Sequence, residues 1–303
     1  MLHSTDMSKP KVIAIVGPTS SGKTSLSIEI AKHSDGEIIS ADSRQVYREM
    51  DIGTGKVTQE EMAGIPHHLL DVADPTEIYT AKDFVDQAHT AIQQIHNRSH
   101  LPIIAGGTFF YVDLLRGKMA TSPVEPNADF RNSLEKYSNV ELLELLEQKD
   151  PRRAETIDTH NRRRLIRSLE IIHTLGSVPK PEPVTSPYDW LILGIKVEKE
   201  VLQEKMRARL GGWLERGLLE EVATIRESVP PARFLEFGFE YTLTADYIDN
   251  TLTKDQFTQK FIEKNWQYAK RQMTWLKKDN EIQWLQPGEL QGALSQVDAF
   301  LAE

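Results

Sequence analysis

Residues 12–33, "VIAIVGPTSSGKTSLSIEIAKH", decide how the rest of the chain is read. Residues 12–16 are all apolar and predict a short strand buried on both faces. Gly17-Pro18-Thr19-Ser20-Ser21-Gly22-Lys23-Thr24 then has the spacing G-x-x-x-x-G-K-[ST], and an apolar-periodic helix follows. In such a turn successive backbone N–H groups converge on a phosphate at a helix N-terminus, where the helix dipole adds positive potential. Lys23 supplies a point charge to the outer phosphate oxygens, and the Thr24 hydroxyl can ligate Mg²⁺. A phosphate is bound here. Its fate is left open by this stretch: it can be transferred, hydrolysed, or leave.

Outward from the loop, strand-like runs alternate with helical ones. "EIISAD" (37–42) and "LPIIAGG" (101–107) read as strands, and "AKDFVDQAHTAIQQIHNRS" as a helix with Phe84, Ala88, Ala91 and Ile95 on one face. This is the β-α-β rhythm of a parallel sheet covered by helices, so the fold class is α/β with a P-loop NTPase-like core. From about Gly117 the pattern is helical only, and it closes on a stiff exit with Pro179, Pro181, Pro183 and Pro187. "WLILGIKV" (190–197) returns to the sheet, and the remainder is mainly helical. The expected organisation is a core at 1–116, an inserted all-helical domain at 117–187, and a core continuation with C-terminal helices at 188–303.

Composition narrows the function. The 303 residues carry 27% charged side chains and no apolar run long enough to span a bilayer, so no membrane partner is expected. The N-terminus lacks a signal-peptide pattern, Met7 could serve as a start, and the first ten residues are expected to be a frayed tail. With no cysteine, disulfides, thiol nucleophiles and cysteine-bound zinc are excluded, which fits a cytoplasmic setting. A net charge of −9 argues against indiscriminate nucleic-acid binding but leaves room for a local basic site.

Three further constellations carry chemistry. Asp42 ends the second strand, and in an open α/β sheet ligands sit outside the carboxyl ends of the strands. "DSRQVY" therefore reads as a catalytic or substrate-binding turn, with an Asp that merely caps the next helix as the alternative. After "IIA" come Gly106, Gly107 and Thr108, where an ordinary ATPase would place a metal-holding acid. "NRRRLIRSLEII" puts four arginines within six residues opposite an apolar stripe, either a solvated face or a nucleic-acid contact. His67-His68 reads as loop packing, and the basic residues of "YAKRQMTWL" as surface charge beside a packed aromatic.

Taken in order, "GPTSSGKT", "ISADSRQVYREMDIGTGK", "PHHLLDV", "PIIAGGTFFYVDLL", "DPRRAETIDTHNRRRLIRSLEI", "RARLGGWLERGLLEEV" and "YAKRQMTWL" resemble the tRNA dimethylallyltransferase (tRNA isopentenyltransferase, IPP transferase) family over most of the chain. The resemblance implies that the phosphate leaves. The P-loop core would hold the diphosphate of dimethylallyl diphosphate with Mg²⁺, and the helical insertion would grip a tRNA anticodon stem-loop. The prenyl group would pass to the exocyclic N6 amine of the adenosine 3′-adjacent to the anticodon. By motif, Lys23 would stabilise departing diphosphate, Asp42 would accept the amine proton, and Thr108 would orient the reacting groups. Ser43, Arg44, Gln45, Arg131, Arg163, Arg164, Leu165, Ile166 and Arg167, with Asp42 and Thr108, would contact tRNA.

One stretch departs from the family pattern. A family glycine-tyrosine-lysine-glutamate run reads Gly238-Phe239-Glu240-Tyr241 here, and Arg233 is the candidate for the family's diphosphate-binding arginine. Lacking the cysteines of a zinc-finger tail, the chain is expected to be a bacterial or organellar form; separately, a monomer is expected. The rivals are a P-loop small-molecule kinase, which leaves the helical insertion unexplained, and a non-catalytic RNA-binding protein using the loop as a nucleotide switch.

Overall fold

Residues 12–16 fold as expected, each no more than 2% exposed, because both faces of their strand are covered. The computed structural model describes residues 9–180 and 184–303; Met7, most of the expected tail, Pro181 and Pro183 lie outside them. The strands are β1 (Lys11–Val16), β2 (Gly36–Ser40), β3 (His67–His68), β4 (Leu101–Ala105), β5 (Asp189–Ile195) and β6 (Ile282–Leu285). They form one sheet in the order β3-β2-β4-β1-β5-β6, and every pair is parallel. β1 runs between β4 and β5, with Ile13 opposite both Ile103 and Leu191.

Each crossover returns the chain to the same end of the sheet, so the carboxyl ends of β1, β2 and β4 open on one crevice. The helix Ala81–Asn97 is started by a capping box between Thr80 and Asp83, and it buries Phe84, Ala88, Ala91, Ile92 and Ile95. Two strands escaped the sequence reading. His67–His68 is too short to show periodicity, and it pairs with Ile38 and Ile39 as an edge strand. β6 is only four residues long, buried at its two ends and exposed between them, so it carries no period-two signal.

Gly117–Val184 forms one compact unit, against the expected 117–187, and the rest of the chain forms the other. The smaller unit is helical: Ala128–Leu134, Asn139–Lys149, Pro151–Thr156 and Arg162–Leu175. Its core holds Leu134, Leu142, Leu146, Leu165 and Leu169. In the larger unit the helices Lys199–Glu215, Leu218–Ser228, Phe239–Ile248 and Lys254–Leu276 follow β5. They share a second apolar core around Trp213, Leu218, Tyr241 and Phe261.

Candidate active site

The turn after β1 is closed by its own lysine. Lys23 Nζ donates to the carbonyls of Gly17 (3.0 Å) and Pro18 (2.9 Å), which holds the ammonium over the turn. Burial pushes its pKa down to about 8; nearby Asp42 opposes the shift and Arg209 adds to it.

Beside the turn, the ends of β2 and β4 are stitched together. The Ala41 N–H donates to Ala105 O (2.9 Å), and the Thr108 N–H donates to Ala41 O (3.0 Å). Between them Gly106 approaches so closely that a Cβ would sit 2.2 Å from Ala41 O, so only glycine fits. Asp42 caps the turn that follows it, rather than a helix, and also lines the cavity. Its Oδ1 accepts from the backbone N–H groups of Arg44 (2.9 Å) and Gln45 (3.4 Å), which caps the turn. Its Oδ2 lies toward Gly107, where a Cβ would be 3.2 Å from it, 3.3 Å from Gln272 Nε2 and 3.8 Å from the Tyr268 hydroxyl. Thr108 Oγ1 accepts from the Ser43 N–H (3.1 Å), fixing that turn to the start of the helix Phe109–Leu115. Gln45 is held by its own neighbourhood: Ser40 Oγ donates to its Oε1, and its Nε2 donates to Gly55 O.

Helices from the C-terminal third complete the site. Gln272 is buried; its Oε1 accepts from the Thr19 N–H (2.8 Å) while its Nε2 donates to Gly107 O (2.9 Å). It therefore ties the phosphate-binding turn to the β4 turn. Arg209, on Lys199–Glu215, donates from Nη1 to the hydroxyls of Thr19 (3.3 Å) and Ser20 (3.5 Å). Its guanidinium lies 4.4 Å from the ring centre of Trp213. Half-buried Glu240 shares this environment. Burial raises its pKa to about 7, although Arg209 and Arg44 pull it down.

Ser21, Lys23, Thr24, Asp42, Gly107 and Arg209 line one cavity of about 630 Å³, all within the larger unit. The exposed Thr24 hydroxyl opens on that cavity. Among the described residues no group of three His, Asp or Glu side chains could hold a metal ion by itself. The Thr24 hydroxyl together with phosphate oxygens is a donor set that fits Mg²⁺, since Mg²⁺ keeps several waters and takes few protein ligands.

Several expectations need correction. Arg233 does not join the cavity lining: it donates to Pro75 O (2.9 Å) and Glu77 O, pairs with Glu236 (2.7 Å), and lies over the rings of Tyr47 and Phe237. The arginine that reaches the loop is Arg209, in a quoted stretch where no residue had been given a role. Its signal was an arginine four residues before a tryptophan on a helix. In "YAKRQMTWL" the basic residues Lys270 and Arg271 are exposed, as the sequence reading has them, but the stretch also brings its first residue, Tyr268, and Gln272 to the cavity. His67, read as packing, lines the cavity; its Nδ1 bonds to Ile65 O and its buried Nε2 has no partner.

In the smaller unit, Leu165 and Ile166 are 0% and 7% exposed and pack in the helical core, which leaves their side chains no role in direct RNA contact. Arg131 forms a bidentate pair with buried Glu170 (2.8 and 2.9 Å), and Arg167 joins the same carboxylate. Arg163 and Arg164 remain on the exposed face.

Residues 45–279 match the family model described as IPP transferase. The chain belongs to that family. It is 37% identical over 286 residues to the tRNA dimethylallyltransferase of Halalkalibacterium halodurans, covering 91% of each chain. With that of Streptococcus pneumoniae it shares 39% over 299 residues, 97% of this chain and 99% of the relative. Among solved structures, the full-length tRNA isopentenylpyrophosphate transferase of Bacillus halodurans superposes with a TM-score of 0.72 at 35% identity, covering 97% and 96% of the two chains. A eukaryotic dimethylallyltransferase acting on tRNA gives 0.81 at 28% identity, with 97% of this chain and 80% of that one covered.

Proposed function

We propose that the chain transfers a dimethylallyl group from dimethylallyl diphosphate to the N6 amine of the adenosine 3′-adjacent to the anticodon of tRNA, releasing diphosphate. One observation carries the reading: a free carboxylate oxygen of Asp42 and the phosphate-binding turn with Lys23 and Arg209 share one cavity. A nucleophile's proton acceptor and a leaving group's counter-charge belong together in this way.

The step balances within those residues. The C1–O bond to diphosphate breaks, the N6–C1 bond forms, and the amine proton passes to Asp42 as the nitrogen gains charge. An adenine amine is a poor acid, so Asp42 helps late, when positive charge has developed. The loop N–H groups, Lys23 and Arg209 meet the charge growing on diphosphate. Thr108 holds the Asp42 turn in place through Ser43. When bound, Mg²⁺ neutralises part of the leaving-group charge, and Thr24 with the diphosphate oxygens would hold it. The target base must leave its stack to reach the cavity, which loop nucleotides do at low cost.

On this reading the enzyme acts as a monomer. Acting on tRNA, the enzyme is placed in the cytoplasm on the same reading. The test is direct. With bulk tRNA present, labelled dimethylallyl diphosphate should label the tRNA, and γ-labelled ATP should label no product. Label transferred only from ATP would replace this reading with a kinase.

A further inference from the structure

The guanidinium of Arg209 is unusual in what does not hold it. Among the described residues no carboxylate forms an ion pair with it, and its hydrogen bonds to Thr19 and Ser20 are long. An arginine left without a carboxylate keeps its charge for an incoming anion, but something else must then fix its position. Two surfaces do so. One is the Trp213 ring, and the other is the backbone at Gly55. There a Cβ would lie only 1.5 Å from Arg209 Nη2, so the main chain is packed directly against the guanidinium.

The segment carrying Gly55 has no regular structure of its own. It is pinned from outside by Glu221, on the helix Leu218–Ser228. Glu221 Oε2 accepts from the N–H groups of Asp51 (2.9 Å) and Ile52 (2.6 Å). Its Oε1 accepts from the Gly53 N–H (2.8 Å) and from the buried Tyr241 hydroxyl (2.8 Å). Three successive backbone donors closing on one carboxylate make an anion nest filled by the protein itself. From that anchor the turn runs through Thr54, whose hydroxyl donates to Met50 O (2.6 Å), to Gly55. The Gly55 N–H donates to Ile52 O (2.9 Å), so the anchored residues and the bracing glycine share one hydrogen-bonded turn.

We infer that Glu221 is a positioning residue for diphosphate binding: by anchoring the turn at 51–55 it braces Arg209 over the phosphate-binding loop. Glu221 is not among the residues that line the cavity and acts through that turn. The inference rests on the reading of the loop as a diphosphate site.

The probe is inorganic diphosphate with Mg²⁺, titrated by calorimetry into the full chain, so that no prenyl transfer is required. Arg209→Ala should weaken binding by about ten- to a hundredfold, as expected for a lost charge-assisted contact. Glu221→Gln keeps the shape but turns an amide donor toward backbone donors, and should weaken binding several-fold. Placed on Arg209→Ala, the same change should weaken it no further, because residues acting through one contact are non-additive. Full additivity in the double variant, or unchanged affinity in Glu221→Gln, would overturn the inference while leaving the diphosphate site standing. No binding by the parent would overturn both.

If Glu221→Gln fails to fold, the parent alone decides. Coupling is reciprocal, so saturating diphosphate should slow hydrogen exchange at the amides of Asp51, Ile52 and Gly53. Unchanged exchange there, with slowed exchange in the loop at 17–24, would reject the inference.

Discussion

Lys23 carries the clearest pH signature in the site. Its pKa of about 8 means that the free protein loses this charge as pH rises through 8, whereas bound diphosphate favours the charged form. Affinity for diphosphate should therefore fall progressively above pH 8 in the parent. In Lys23→Met it should be weak throughout, and should follow only the ligand's own titration. The difference between the two profiles isolates the lysine. Asp42 has a different signature. Asp42→Asn keeps the capping oxygen but cannot take a proton, so kcat should drop by about 10² to 10⁴-fold with little change in KM for the prenyl donor. Steady-state rates with saturating tRNA check this, and a raised KM at normal kcat would assign Asp42 to binding alone. Both residues were legible because each sits in a spacing that chemistry constrains. Arg209 was not, because its partners lie some 190 positions away in sequence.

At the scale of elements, one helix that reads as a face in the sequence is divided by depth in the structure. On Arg162–Leu175, the arginines looked like one basic stripe. In fact Arg167 turns inward with Arg131 to satisfy Glu170, which is buried and carries a pKa lowered to about 2. Periodicity locates a helix face, but it does not reveal a buried acid that recruits arginines from the boundary. Removing either partner leaves that charge underpaid. Arg131→Ala should destabilise the chain by about 1–3 kcal/mol in urea unfolding, with Glu170 still held by Arg167. Arg163 and Arg164 stay on the exposed face, and replacing both with alanine probes tRNA binding. That change should lower the slope of log affinity for tRNA against log salt by about one unit per lost phosphate contact. An unchanged slope would return them to an ordinary solvated face.

The helix Phe239–Ile248 holds a stability prediction of its own. Glu240 has its pKa raised by burial from about 4.5 to about 7, so the folded protein retains a proton that the unfolded chain has released between those values. Its favourable neutral form is present below pH 4.5 and is lost as pH rises through 7. Glu240→Gln should thus stabilise the protein at pH 8, by about 1–3 kcal/mol, and leave it unchanged at pH 4. Thermal melts at the two pH values test this; equal shifts at both would mean that packing rather than charge governs the position.

Over the whole molecule, the chain separates what must be rigid from what must recognise. Three strand ends form the crevice, and glycine at 106 lets two of them touch. Helices after β5 then reach back across the crevice with Arg209 and Gln272. The order of motifs along the sequence made the sheet and the helical insertion readable, because buried parallel strands are continuous apolar runs. The closing helices were readable as helices only. Which of their side chains enter the site depends on packing between elements far apart in the chain, and Arg233 shows the cost: it was the plausible arginine, and it is spent on holding the loop at 75–77.

The central claim is that diphosphate departs from a prenyl donor as an adenosine amine is alkylated. It is tested most directly by incubating the protein with Mg²⁺, dimethylallyl diphosphate and tRNA, then digesting the tRNA to nucleosides for mass spectrometry while measuring diphosphate. The account predicts one N6-dimethylallyl adenosine, from the position 3′-adjacent to the anticodon, for each diphosphate released, and neither product when tRNA is omitted. Diphosphate release without the modified nucleoside, or a phosphorylated product formed from ATP in its place, would contradict it.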